Sequence, residues 1–196
     1  MNKFVKGALQ VAEIAGRTAV SAIPVGGALA TSIYDTVKNN CLEKRQKKWQ
    51  EALENRISKI EASLNDIGNS EIFTTAIIKA TEVAMKTSSE EKLKYLANAT
   101  ANSYEGNIDE TRFYLYMGLI ERYTARHISI MKEYITPTEK EIDSTNEDEV
   151  IIFNQLFADG MILYSNDANG NYMLSQFGND FISFLTISGE QEKSEK

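Results

Sequence analysis

The stretch Met161–Ser175, MILYSNDANGNYMLS, decides how the rest of the chain is read. Met161-Ile162-Leu163-Tyr164 and Asn171-Tyr172-Met173-Leu174 are short strand-like runs, separated by Asn166-Asp167-Ala168-Asn169-Gly170. Asn, Asp and Gly tolerate the left-handed backbone of a tight connection, so the pattern predicts a β-hairpin. Asp167-Ala168-Asn169-Gly170 shares its first positions with a calcium loop, but the bidentate acid such a loop needs later is missing. Ser175 predicts the cap of a final helix carrying Phe177, Phe181, Phe184 and Leu185. Upstream, Val150 to Phe157 predicts an apolar helix stopped by Asp159-Gly160, and the acidic stretch Glu139 to Glu149 reads as a short helix plus linker.

Everything before Thr136-Pro137 reads as helix, and a chain of 196 residues with two prolines favours long ones. Phe4, Ala8, Val11, Ala12, Ala15, Ala19 and Ile23 predict a first helix over residues 4–23, broken by Ile23-Pro24-Val25-Gly26-Gly27. A second runs from about Ala28 to Ile67, its later half carrying a three-four seam of Leu53, Ile57, Ile60, Leu64 and Ile67. Ser70 caps a third helix carrying Phe73, Ala76, Ile77, Ala80 and Val83. Overlapping capping-box patterns, Thr87 with Glu90 and Ser88 with Glu91, start a fourth through Leu93, Leu96 and Thr100. Asp109 caps a fifth with Phe113, Tyr116, Met117, Ile120, Thr124, His127 and Met131 on one face. Helix, helix, hairpin, helix over about residues 110–187 resembles a winged-helix module. The predicted class is therefore mainly α: an N-terminal helical bundle, then a small winged-helix-like module with one β-hairpin. The predicted domains are an amphipathic Gly/Ala-rich segment (1–27), the bundle (28–135), the acidic module (136–187, borrowing helix 110–135) and a disordered tail (188–196).

Charge is distributed unevenly. Residues 1–64 carry a net +4, residues 65–135 a net −2 and residues 136–196 a net −9. A basic, apolar front suits an anionic membrane, and an acidic rear repels nucleic acid. The winged-helix recognition candidate, Glu147 to Gly160, contains no Lys or Arg, whereas DNA-binding modules gain most of their affinity from phosphate contacts. No nucleic-acid partner is expected. The lone Cys41 has no internal disulfide partner, which favours a reducing compartment. Glu13 and Arg17 interrupt the apolar stretch a secretory signal needs. The longest uncharged run near the front, Thr18 to Tyr34, is 17 residues and contains Pro24, Gly26 and Gly27, so no constitutive spanning helix is expected.

Catalytic chemistry has little to stand on. The chain has one His and one Cys, each within a helical pattern, and no nucleophile elbow, P-loop or dinucleotide turn. His127 reads as a hydrogen-bonded core or boundary histidine and Cys41 as a small buried hydrophobe. Zinc wants three or four clustered ligands, and only carboxylates are plentiful. The expectation is a protein that is not an enzyme and uses no cofactor.

Three surfaces remain as candidates. In the front segment small residues recur at spacings of three and four, including Ala12 to Gly16 and Ala22 to Gly26. Such faces let helices approach closely in lipid; the alternative is a plain Ala-rich bundle helix. Ala12, Gly16, Ala19, Ile23, Gly26 and Gly27 are the membrane-insertion candidates. Lys44, Arg45, Lys47 and Lys48 run into Trp49, an arrangement suited to lipid headgroups, with a solvated helix face as the alternative. Phe153, Phe157, Tyr164 and Tyr172 could dock a protein partner, or could fill the module's own core.

This layout, an apolar Gly/Ala-rich front, a helical bundle and a small acidic module, resembles small prophage-encoded antiviral pore effectors of the ring-interacting type. The resemblance covers nearly the full length and rests on architecture, with no diagnostic motif. It implies a protein that is cytoplasmic at rest, and a viral structural or assembly protein as its trigger. Once triggered it would form homo-oligomers and permeabilise the cell membrane in abortive infection. The alternative from the residues alone is a soluble helical adaptor or regulator acting through protein contacts, and a third is a transcriptional regulator.

Overall fold

A run of 31 residues without Gly or Pro, Ala30–Ile60, gives the first long element, helix α2. The computed structural model describes residues 7, 9–14, 30–60, 71–105, 108–136, 145–165 and 171–186. The chain is mainly helical with one two-stranded hairpin. It forms two compact units, Met1–Glu121 and Arg122–Lys196.

In the first unit a helical segment α1 (9–14) precedes α2 (Ala30–Ile60), α3 (Glu71–Lys86), α4 (Glu90–Glu105) and α5 (Glu110–Arg122). Helices α2, α3 and α4 pack on one another. The stripe Leu42, Trp49, Leu53 and Ile57 of α2 meets Phe73, Ala76, Ile77, Ala80 and Ala84 of α3 and Leu93, Leu96 and Ala97 of α4 in one core. Leu53 and Ile57 of the predicted seam are fully buried, and its members Ile60, Leu64 and Ile67 lie outside the described side chains. Ala76, Ala80 and Ala84 of α3 and Ala97 and Ala101 of α4 are also buried, small side chains that let the helices pack closely.

Two helix starts differ from the sequence reading. The cap of α4 is Ser89, whose Oγ accepts from the Lys92 N–H at 3.2 Å, while Thr87 Oγ1 accepts from the Ser89 N–H. The single helix expected from Asp109 through Met131 is two. Asp109 caps α5 as expected, accepting the Arg112 N–H at 2.9 Å, but the chain leaves the helix at Tyr123-Thr124. Thr124 takes an extended conformation (φ −88°, ψ 168°) and starts α6 (Ala125–Glu133).

The second unit contains α6, α7 (Glu147–Ala158), β1 (Ile162–Tyr164), β2 (Tyr172–Leu174) and α8 (Gln176–Leu185), in the order the sequence predicts. The strands pair antiparallel with Ile162 opposite Leu174 and Tyr164 opposite Tyr172. Asn146 caps α7 and Ser175 caps α8, Ser175 Oγ accepting the Gly178 N–H at 2.9 Å. Gly160 turns α7 into β1 with φ +72°, a conformation that costs other residues about 1–2 kcal/mol. Gly178 has a steric role: a Cβ there would stand 2.5 Å from the Met161 carbonyl oxygen, so the start of α8 lies flush against the end of the α7–β1 turn. The Leu174 N–H donates to the Tyr134 carbonyl at 2.8 Å, joining the hairpin to the end of α6. Leu156, Met161, Ile162, Leu174, Phe181 and Leu185 form the core.

Candidate functional site

The front segment enters the described structure only at residues 7 and 9–14. Ala12 is 1 % exposed, while Ile14 beside it is 58 % exposed. Leu9, Gln10 and Glu13 of α1 face Lys47, Gln50, Glu51 and Glu54 of α2 across an open cleft of about 370 Å³. Apart from Leu9 the residues lining the cleft end in polar or charged groups, three carboxylates and one lysine among them. The burial of the Ala12 methyl is worth about 0.8 kcal/mol, and the half-buried Leu9 and Val11 add to it. Gly16, Ala19, Ile23, Gly26 and Gly27 lie outside the described residues. Among the described residues no helix is long and apolar enough to cross a membrane.

The basic cluster divides in two. Lys44 and Lys47 are exposed. Arg45 is half-buried and donates from Nη1 to the Met85 carbonyl at 3.0 Å, covering the C-terminal end of α3 where a cation also meets the negative end of the helix dipole. Lys48 pairs with Glu90 in the first turn of α4, and this bond lowers the Glu90 carboxyl below its usual range. Trp49 is a correction to the headgroup reading. Its side chain is fully buried, and Nε1 donates to Thr81 Oγ1 at 2.9 Å; that hydroxyl in turn donates to the Ile77 carbonyl at 2.7 Å. Helical phase explains the burial: Trp49 lies seven residues after Leu42 and four before Leu53, on the packed stripe.

Helices α3 and α5 run in the same direction, since Lys79 sits over the Tyr114 ring at 5.0 Å and Lys86 meets Glu121 at 2.8 Å, each partner seven residues further on. The bond to Lys86 lowers the Glu121 carboxyl below its usual range, and the Lys86 pKa rises for the same reason. Lys92 donates to the Glu121 carbonyl at 3.0 Å, and burial lowers its pKa. Tyr95 donates to Glu91, and burial together with that bond raises its phenol.

In the second unit the four aromatic candidates form a connected series. Phe153 is 5 % exposed and belongs to the core, stacked at 6.4 Å on Phe157 and edge-on to Tyr172 at 5.0 Å. Tyr172 is half-buried and meets both Phe157 and Tyr164 edge-on. Phe157 and Tyr164 are 46 % and 58 % exposed, so they form the outer part of the series and Phe153 its anchor. Leu163 and Ile151, which sequence reasoning passed over, are also exposed, and the uninterrupted apolar run Met161–Tyr164 gave no signal for Leu163.

His127 and its surroundings are structural. Its Nδ1 accepts from the Thr124 N–H at 3.2 Å, which leaves the ring proton on Nε2 for Gln155 Oε1 at 3.1 Å. The ring stacks on Tyr123 at 4.9 Å, and Tyr123 donates to Asp159 Oδ2 at 2.6 Å. Burial and that carboxylate raise the Tyr123 phenol far above its usual range, and Arg122 completes the group with an ion pair to Asp159. Cys41 is exposed on α2, a correction to its reading as a small buried hydrophobe: it lies one residue off the stripe that buries Leu42. Among the described residues no group of three or more His, Cys, Asp or Glu could hold a metal ion. Comparison with family models, curated proteins and solved structures finds no match to this chain.

Proposed function

We propose that this protein is a non-enzymatic membrane-disrupting effector of antiviral defence, held inactive by docking of its front segment on α2. The observation that carries this reading is the seat of α1: among its described residues only Ala12 is fully buried, Leu9 and Val11 are half-buried, Ile14 is exposed, and an open cleft lies beneath. Release of α1 frees a Gly/Ala-rich segment whose small-residue spacing suits close helix packing in lipid. The resting protein is cytoplasmic; a viral structural or assembly protein displaces α1, the chains oligomerise, and the cell membrane is breached. Lys44 and Lys47, both exposed on the same helix as the seat, supply the attraction to anionic headgroups. Forced expression in bacteria with a potential-sensitive dye tests the reading. It expects depolarisation by the full chain together with its trigger, and none when residues 1–27 are removed.

A second reading draws on the exposed Phe157 and Tyr164. Aromatic rings of this kind anchor protein interfaces, and an adaptor acting through them alone would leave membranes intact. Loss of partner binding in Tyr164→Ala with membrane activity absent from both proteins favours that reading.

A further inference from the structure

We propose that Phe157, Tyr164 and Tyr172 form a binding site for an arginine side chain carried on a basic segment of a partner protein. This rests on the reading of Phe157 and Tyr164 as docking residues, and it names the chemistry of what docks. Tyr172 meets both outer rings nearly at right angles, Tyr164 at 5.0 Å and 85° and Phe157 at 6.2 Å and 83°. The buried Phe153 meets Tyr172 from within the core at 5.0 Å and 85°, which fixes the inner ring. Phe157 and Tyr164 are about half exposed, so a ligand can reach them. Ring faces carry the negative part of the aromatic quadrupole, and several rings set at angles to one another are the arrangement that binds organic cations.

Charge around the rings points to the same ligand. Residues 141–192 contain no Lys, Arg or His. Arg122 and Arg126, which precede them in the second unit, are held by Asp159 and Glu149. Among the described residues the cations seated over rings are Lys79 on Tyr114 and Arg122 on Tyr123, and none lies over Phe157, Tyr164 or Tyr172. Glu147 and Asp148 open the helix that carries Phe157; both are exposed, and no ion pair among the described residues takes up either. A surface that offers rings and carboxylates without a cation of its own attracts a basic segment and repels phosphate or anionic lipid. Arginine suits the rings better than lysine, because its planar and weakly hydrated guanidinium stacks on an aromatic face.

The probe is a rhodamine-labelled peptide of alternating Arg and Gly, titrated with the full chain up to about 1 mM and read by fluorescence anisotropy. Its citrulline counterpart keeps the shape and removes the charge. The expected result is saturable binding of the Arg peptide and binding of the citrulline peptide at least about fivefold weaker. Tyr164→Leu keeps an apolar side chain without the ring, and should weaken the Arg peptide by about the same factor, while Tyr164→Phe binds as the parent does. The melting temperatures of both variants should match the parent's, since the side chain is exposed. Equal binding of the two peptides, equal binding by the parent and Tyr164→Leu, or no binding of the Arg peptide overturns the arginine site. None of these outcomes touches the docking reading itself, which stands or falls on partner binding by Tyr164→Ala.

Discussion

Replacing Thr81 by Val asks whether Trp49 belongs to the bundle. The substitution keeps the branched shape and nearly the volume, and helix propensities of the two residues are close. It removes the oxygen that accepts the Trp49 Nε1 proton at 2.9 Å, in a place where both side chains are fully buried. The indole N–H is then left without that partner, a loss of about 1–3 kcal/mol. The Ile77 carbonyl also loses its bond from the hydroxyl but remains within α3, so its share is the smaller one. Against a typical domain stability of about 5–15 kcal/mol the change is easily measured. Trp49 is the chain's single tryptophan, so its fluorescence during urea unfolding reports the first unit specifically. The parent should emit in the blue range and resist aqueous quenchers, and Thr81→Val should shift the midpoint down with the slope unchanged. A variant within about 0.5 kcal/mol of the parent, as for an ordinary surface change, would refute the buried hydrogen bond.

Three further outcomes follow from the same geometry. Gly178→Ala should destabilise the second unit by about 1–3 kcal/mol, because its Cβ meets the backbone of Met161, and thermal melts of that variant against Gly118→Ala check this. The raised phenols of Tyr95 and Tyr123 mean that the folded chain keeps both protonated while the unfolded chain ionises them near pH 10. Their contribution is thus complete below pH 10 and is lost as pH rises beyond it, so urea midpoints should fall between pH 9 and pH 11; equal midpoints would contradict the assignment. On anionic vesicles Lys44→Gln with Lys47→Gln should weaken binding by about 2 kcal/mol, and Lys48→Gln by less because Glu90 already neutralises that lysine; co-sedimentation in low and high salt reads both.

The hairpin, the Ser175 cap and the Asp109 cap were legible because each rests on local chemistry: turn residues between short strands, or a side-chain oxygen three residues before an open N–H. The break at Tyr123-Thr124 was not. The apolar spacing continues straight through it, with Ile120, His127 and Met131 all buried, and no Gly or Pro marks it. What ends α5 is tertiary: Tyr123 and Arg122 both reach Asp159, while the His127 imidazole accepts the Thr124 N–H in the role a Glu or Gln takes in a capping box. Choosing among Thr87, Ser88 and Ser89 as the α4 cap likewise needed the backbone, since all three carry hydroxyls. Trp49 was misplaced by its basic neighbours, although its spacing from Leu42, Leu53 and Ile57 put it on the apolar stripe. Phe153 and Phe157 illustrate the limit of periodicity: both fall on the helix's aromatic edge, and only the position of β2 decides which is covered.

The docked front segment is most directly tested by Ala12→Leu in a dye-release assay on anionic vesicles. A leucine overfills a position that is 1 % exposed and loosens α1 from its seat, yet it keeps the segment apolar. The account predicts dye release by this variant above the parent's level, and its disappearance when residues 1–27 are removed from the variant. Release equal to the parent's, or release that persists without residues 1–27, would contradict it.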